Sequence, residues 1–359
     1  MDKNVIATNR ADKYLSLLED ESSKSHEVYM DLLETLKKGH VEGKVTMADL
    51  LLTAFSQLGY MCKSSGKGLD SKAPEKDKDG NLLIHKGKYN KYAAFFEEHD
   101  KAPNAKEFYG GSKQNEDWCA VFVHWCLFNT FGEKNTRLAT GIDKNRNHGA
   151  GVEYDFHYYM DFPHSLAMFL NHKGTTAGDQ AFFYTKNGLS HTGLVVANYG
   201  GYVYILEGNT NPQVGTDAKI VPEGKGVCLK RYALDRIDIE FCRPYYKEVA
   251  PCPQGFDWAD VRKKTFKLYE VLKAELEQKL TPEELVVEEI TPEEVEMTRL
   301  QIFKNKVNSI SHWLKDIGMG TLKNLTADQV YIVKKKLNAI LTQLSSINSY
   351  SEETIKKGK

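Results

Sequence analysis

Apolar positions along this chain fall into three successive regimes. Up to residue 41 they recur at helical spacing, as Tyr14, Leu15, Leu17 and Leu18, then Val28, Met30, Leu32, Leu33 and Leu36. Gly39 and Gly43 interrupt the pattern. Thr46 with Asp49 three residues on is a variant capping box, and it predicts a helix over 47–58 that Gly59 ends. A polar run, Lys113 to Asp117, then gives way abruptly at Trp118 to ten almost wholly apolar residues. This is the signature of a helix start, with Asn115 or Asp117 as N-cap.

From Gly178 the period shortens to that of strands. Runs at 179–184, 192–198, 202–207, 227–232 and 237–243 predict five closely spaced strands of an antiparallel sheet. Helices precede strands instead of alternating with them, which predicts an α+β fold. Pro251 and Pro253 mark a linker, and charged helices are predicted at 256–280, 291–317 and 326–346. Thr281-Pro282-Glu283-Glu284 and Thr291-Pro292-Glu293-Glu294 each combine an N-cap, a first-turn proline and a capping-box Glu; Thr326 with Gln329 is a third start. Leu300, Ile302, Phe303, Val307, Ile310 and Leu314 form an apolar stripe. The expected division is a helical segment at 1–45, a catalytic α+β domain at 46–248 and a C-terminal helical bundle or hairpin at 249–359.

Composition narrows the partners. The formal net charge of −1 gives no polyanion signal, so no nucleic-acid partner is expected. No run reaches the roughly 18 apolar residues of a membrane span, so no membrane insertion is expected. Residues 1–20 carry no secretory pattern. The six cysteines include no Cys-x-x-Cys pair and are too sparse for a disulfide framework, so no metal or cofactor is expected. The polar stretch 63–90 reads as an insertion or long loop. Its Asp77-Lys78-Asp79-Gly80-Asn81 resembles half a calcium loop but lacks the bidentate Glu, and is taken as a turn.

Chemistry concentrates at Cys119, in the first turn of the predicted apolar helix. There the unpaired N–H groups and the helix dipole favour a thiolate, the nucleophile that amide-cleaving cysteine enzymes need. Of eleven histidines, His191 stands at the start of a strand after the polar Asn187–Ser190 loop. A three-residue turn at 199–201, or an equivalent bulge, pairs residues whose numbers sum to 400. His191 then faces Asn209, with directly opposed Cβ atoms about 5 Å apart, and Glu207 lies one diagonal away on the same face, so that both acceptors can reach the imidazole. A plain two-residue Gly200-Gly201 turn would put both acceptors on the wrong face.

Trp118-Cys119-Ala120, Phe122-Val123, Trp125-Cys126, Gly178-Asp179, Ser190-His191-Thr192-Gly193 and Glu207-Gly208-Asn209-Thr210 together resemble a CHAP domain, a cysteine- and histidine-dependent amidohydrolase/peptidase. The order Cys, His, Glu, Asn is the family's order, and the resemblance spans roughly 46–247. It implies a papain-like α+β fold and cleavage of peptidoglycan amide bonds, as an N-acetylmuramoyl-L-alanine amidase or an endopeptidase. Cys119, His191, Glu207 and Asn209 would be the catalytic set. Gln114, five residues before the nucleophile, is the candidate second oxyanion donor, and Trp118 a candidate wall of the substrate groove. Trp125 is expected in the core, and the aromatic run 154–162 in the core or against substrate. The insertion at 63–90 and the stretch 133–162 are longer than in simpler members.

An endolysin, or a hydrolase carried in a phage or mobile-element particle, fits a chain made in the cytoplasm without a signal peptide. The C-terminal helices would target the wall or dock on a protein partner. A papain-like protease or toxin effector acting on a protein is the alternative, and a non-enzymatic adaptor the third.

Overall fold

The strand-period region folds into one antiparallel sheet that carries the helices. The computed structural model describes residues 2–84, 86–103, 105–142, 150–160, 168–170, 174–215, 224–236, 238–286 and 291–302. Its sheet has six strands: β1 (Met168–Leu170), β2 (Gln180–Thr185), β3 (Gly188–Tyr199), β4 (Tyr202–Thr210), β5 (Gly226–Ala233) and β6 (Ile239–Arg243). They lie in the order β1-β6-β2-β3-β4-β5. Five of these match the five predicted runs; the three-residue edge strand β1 is too short to leave a periodic signal. The protein is α+β, as its element order predicts.

The β3–β4 hairpin settles the register question. Its turn is the two-residue Gly200-Gly201, both glycines at positive φ (63° and 84°), with Tyr199 paired to Tyr202. A bulge between Val195 and Ala197 then absorbs one residue, so Val195 pairs with Ile205 and Leu194 with Leu206. Beyond the bulge the paired numbers sum to 400, the register that places His191 and Glu207 on one face. Gly193 makes the approach possible: a Cβ there would stand 2.9 Å from the Glu207 Cγ.

The helices with bounds among the described residues are α1 (Lys3–Glu19), α2 (Lys24–Lys37), α3 (Met47–Phe55), α4 (Lys91–Lys101), α5 (Cys119–Thr140), α6 (Val152–Met160) and α7 (Trp258–Lys279). The capping box at Thr46 forms as predicted, with the Thr46 hydroxyl accepting from the Asp49 N–H and the Asp49 carboxylate accepting from the Thr46 N–H. Helix α3 ends a turn sooner than expected, because 3₁₀-type bonds from Gln57 to Ala54 and Leu58 to Phe55 tighten its end before Gly59. At Thr281 the capping box also closes, yet only a single turn follows. The Thr291 box begins a helix that continues to residue 302. The remainder of that predicted helix and the one at 326–346 lie outside the described residues.

One apolar core reaches into both expected end segments. Tyr14, Leu17, Leu18, Leu32 and Leu36 of α1 and α2, and Val261, Leu268, Leu272 and Leu276 of α7, join one apolar cluster with α3, α5 and the sheet residues Leu194, Tyr204, Leu206 and Leu229. Helices α1, α2 and α7 therefore belong to the body that carries the sheet, with no separate core at either end among the described residues. Their stripes were legible in sequence; what they would pack against was not. In the insertion, Lys63 pairs its backbone with Tyr89, and the Lys63 and Lys72 ammonium groups donate to the carbonyls of Ala73 and Leu58. The Asp77 carboxylate accepts the N–H groups of Asp79 and Asn81, as a turn requires. Among the described residues no helix is long and apolar enough to cross a membrane, and no group of three or more His, Cys, Asp or Glu is placed to hold a metal ion.

Helix α5 crosses β4 where the strand has no side chain. A Cβ at Gly208 would meet the Phe122 Cβ at 2.6 Å and Trp118 at 2.8 Å. Gly208→Ala is expected to lower stability by about 1–3 kcal/mol through overpacking; a urea unfolding curve unchanged from wild type would show that α5 yields there.

Candidate functional site

Helix α5 begins at Cys119, so the thiol occupies its first turn as predicted. The N-cap differs from expectation. It is Trp118, with φ −119° and ψ 18°, and no side chain caps the helix start. Asn115 instead takes a positive φ of 62° and accepts from the Lys88 N–H, while Asp117 accepts from the Lys88 ammonium and the Asn209 amide. The first N–H groups of α5 are thus left without a side-chain acceptor beside the thiol, the arrangement that receives a developing negative charge.

His191 lies at 0% exposure on β3. Its Nε2 is 2.9 Å from the Glu207 Oε2. Its Nδ1 is buried and has no hydrogen-bond partner among the described residues, and the Cys119 thiol is near enough to act on the titration of the ring. Burial acts to lower the imidazole pKa, but contact with Cys119 and Glu207 outweighs it and raises the value to about 9. Glu207 is equally buried. Burial would raise its pKa, whereas the Lys230 ammonium at 3.3 Å, His191 and the Tyr232 hydroxyl at 2.7 Å together bring it down to about 2. A thiol, an imidazole and an ionised carboxylate that orients that imidazole are therefore assembled from α5, β3 and β4.

Burial pushes the Cys62 thiol up to about 11 and those of Cys126 and Cys228 higher still.

Asn209 is brought to the site by another route than the one predicted. A second irregularity, between Glu207 and Thr210, and a positive φ of 55° turn it out of the ladder. Its Nδ2 donates to the Asp117 Oδ1 at 2.8 Å. Asn209 thus ties the segment leading into Cys119 to the end of the strand bearing Glu207, while the bond that orients His191 comes from Glu207. Gln114 has both ends of its amide engaged by the Asn90 backbone, accepting from the N–H and donating to the carbonyl, each at 2.9 Å. This fastens the start of α4, and it differs from the oxyanion role expected of it. Trp118 is not a groove wall: it is 0% exposed, stacked on Tyr92 with centroids 5.4 Å apart and edge-on to Tyr60. Trp125, expected in the core, is half-buried against it. In the aromatic run Phe156, Tyr158 and Tyr159 are buried, so α6 contributes core.

Sequence reasoning missed a second buried histidine. His124, five residues after Cys119, has Nε2 3.0 Å from Asp155 Oδ1 and Nδ1 2.6 Å from the Tyr109 hydroxyl. The other Asp155 oxygen accepts from Gln180 Nε2, which also donates to the Thr192 hydroxyl. This chain joins α5 to β3 beside His191. Its one visible signal was a histidine inside the apolar run from Ala120 to Trp125.

Comparison with protein-family models, with curated proteins and with solved structures finds no match to this chain.

The paired shifts set opposite pH limits. His191, raised above its ordinary value, adds stability that is complete below about pH 6.5 and lost as pH rises through about 9. Glu207, depressed, adds stability present above about pH 4.5 and lost as pH falls through about 2. The urea midpoint of the wild type is expected to fall more steeply between neutrality and pH 9 than that of His191→Gln. Parallel curves for the two would remove the stabilised imidazolium.

Proposed function

We propose that this chain is a papain-like, CHAP-type cysteine amidohydrolase that cleaves amide bonds of peptidoglycan, in the stem peptide or its cross-bridge. One observation carries the chemistry: buried Cys119 at the uncapped start of α5 acts on the titration of buried His191, whose Nε2 is held by ionised Glu207. The substrate class comes from the resemblance of the motifs around these residues to CHAP domains. The order of Cys119 on a helix and His191 and Glu207 on successive antiparallel strands supports that reading.

In this mechanism His191 takes the Cys119 proton, giving a thiolate and an imidazolium. The thiolate adds to the amide carbonyl, and the oxygen gains negative charge near the free N–H groups at the start of α5. As the C–N bond breaks, its electron pair goes to nitrogen and His191 Nδ1 supplies the proton. Water, deprotonated by the now neutral imidazole, then hydrolyses the thioester and regenerates the thiol. Glu207 holds the ring in place throughout, and Asn209 holds the segment entering the nucleophile. The setting is a cell wall reached by release from the producing cell or by carriage in a particle, and the C-terminal helices of 249–359 are proposed to dock on the wall or on a protein partner.

Fragments released from purified peptidoglycan and identified by mass spectrometry test this directly. Wild type is expected to release them, Cys119→Ala to release none, and Glu207→Gln to be slower by about 10²–10⁴-fold. New end groups separate amidase from endopeptidase cleavage. Equal release by Cys119→Ala would place the activity elsewhere. No release from several wall chemotypes, with cleavage of a folded protein instead, would select a protein-directed protease or toxin effector. Iodoacetamide at pH 6 is expected to modify Cys119 ahead of Cys62, Cys126 and Cys228; indiscriminate labelling would argue against a thiolate–imidazolium pair.

A further inference from the structure

We infer that Lys230 is a positioning residue for His191, acting through Glu207: by balancing the buried carboxylate it allows the imidazolium to release its proton to the leaving amine. The inference rests on the reading of Cys119, His191 and Glu207 as the reacting set.

Lys230 lies in the middle of β5, in a strand where Val227, Leu229 and Arg231 alternate with Cys228, Lys230 and Tyr232. Register pairs Lys230 with Ile205 and Cys228 with Glu207, so Lys230 and Glu207 are diagonal neighbours on one sheet face. Its side chain is only 7% exposed. A lysine buried this far requires a counter-charge, because an unpaired ammonium in such a place is strongly destabilising. The counter-charge is the Glu207 Oε2, 3.3 Å away, the same oxygen that lies 2.9 Å from His191 Nε2. The second oxygen is held by the Tyr232 hydroxyl. One carboxylate thus serves two cations, and every oxygen of it has a donor.

Sharing matters at the moment the proton leaves. Before attack, thiolate, imidazolium, carboxylate and ammonium alternate in sign, and the row is neutral. Once the amide carbon is bonded to sulfur and His191 Nδ1 has given its proton to the departing nitrogen, the imidazole is uncharged. Glu207 and Lys230 then remain as a neutral pair. Without Lys230 the same transfer would leave Glu207 as a lone buried anion, and the imidazolium would be held back by it. The titratable groups facing His191 and Glu207 are Cys119 from α5 and Cys228, Lys230 and Tyr232 from β5; β2 contributes the Phe183 ring, 5.4 Å from His191 between centroids.

The test is an NMR titration of the His191 ring in the full chain, its signal assigned by its loss in His191→Gln. Lys230→Met is expected to bind the ring proton about tenfold more tightly than wild type, moving the midpoint to higher pH. Lys230→Arg is expected to restore the wild-type midpoint. Lys230→Gln, polar but uncharged, is the second variant should the methionine disturb folding, and is expected to shift in the same direction. An unchanged or lowered midpoint in a folded, uncharged variant overturns the inference, as does Lys230→Arg behaving like Lys230→Met. A merely structural lysine would alter the unfolding curve and leave the midpoint in place. The titration needs no substrate, so failure to cleave peptidoglycan bears on the proposed function alone, and an unshifted midpoint bears on Lys230 alone.

Discussion

A carboxylate with no exposure stays ionised in this fold only because three donors converge on it. Glu207 receives His191 and Lys230 on one oxygen and Tyr232 on the other. Removing any of them would leave a buried charge short of a partner, a cost of several kcal/mol in ordinary cases. The geometry that satisfies Glu207 is also the geometry that fixes the imidazole ring, so charge burial and site assembly are one constraint. Gly193 opens room across from the carboxylate, the bulge near Val196 sets its side of the sheet, and β5 supplies two of its three partners. Much of the sheet's irregular geometry is explicable as what this one group requires.

Much of this was legible in the residues themselves. Alternation gave the five longer strands, and a helix start at an abrupt polar-to-apolar boundary gave the position of Cys119. His191 and Glu207 share a face by the arithmetic of register, because a bulge does the work of a longer turn. What was not legible depended on three-dimensional partners. Trp118 borders Cys119 in sequence, yet its neighbours Tyr60 and Tyr92 come from other segments and enclose it. Gln114 has the right spacing for a donor, but Asn90 takes its amide. His124 looked like one histidine among many until Asp155 and Tyr109 met it from α6 and the preceding loop. Asn209 illustrates the middle ground: its residue type tolerates the left-handed turn that sequence alone does not announce.

The helices at the two ends of the described chain raise a matching lesson about boundaries. A change in composition after residue 246 and two prolines suggested a separate unit, because α7 is charged and amphipathic. Amphipathicity, however, says only that a face is buried, not against what. Here the face of α7 is met by α2 and by β3, and the ends are pinned by polar contacts. Glu275 accepts from the Ser25 N–H and hydroxyl, and Glu284 lies against Asn9 and Lys13 and presents its carbonyl to Arg10.

That clasp has a bearing on how the chain acquires its structure in time. Its contacts join residues separated by 250 to 275 positions. During synthesis α1 and α2 leave the ribosome with an apolar stripe whose covering helix has yet to be made. The sheet follows, and the stripe waits until α7 emerges. Folding of this body is therefore expected to be completed late, near the release of residue 284, with the first helices held in an open intermediate meanwhile. Cys119, a third of the way along the sequence, is made well before the scaffold around it can close.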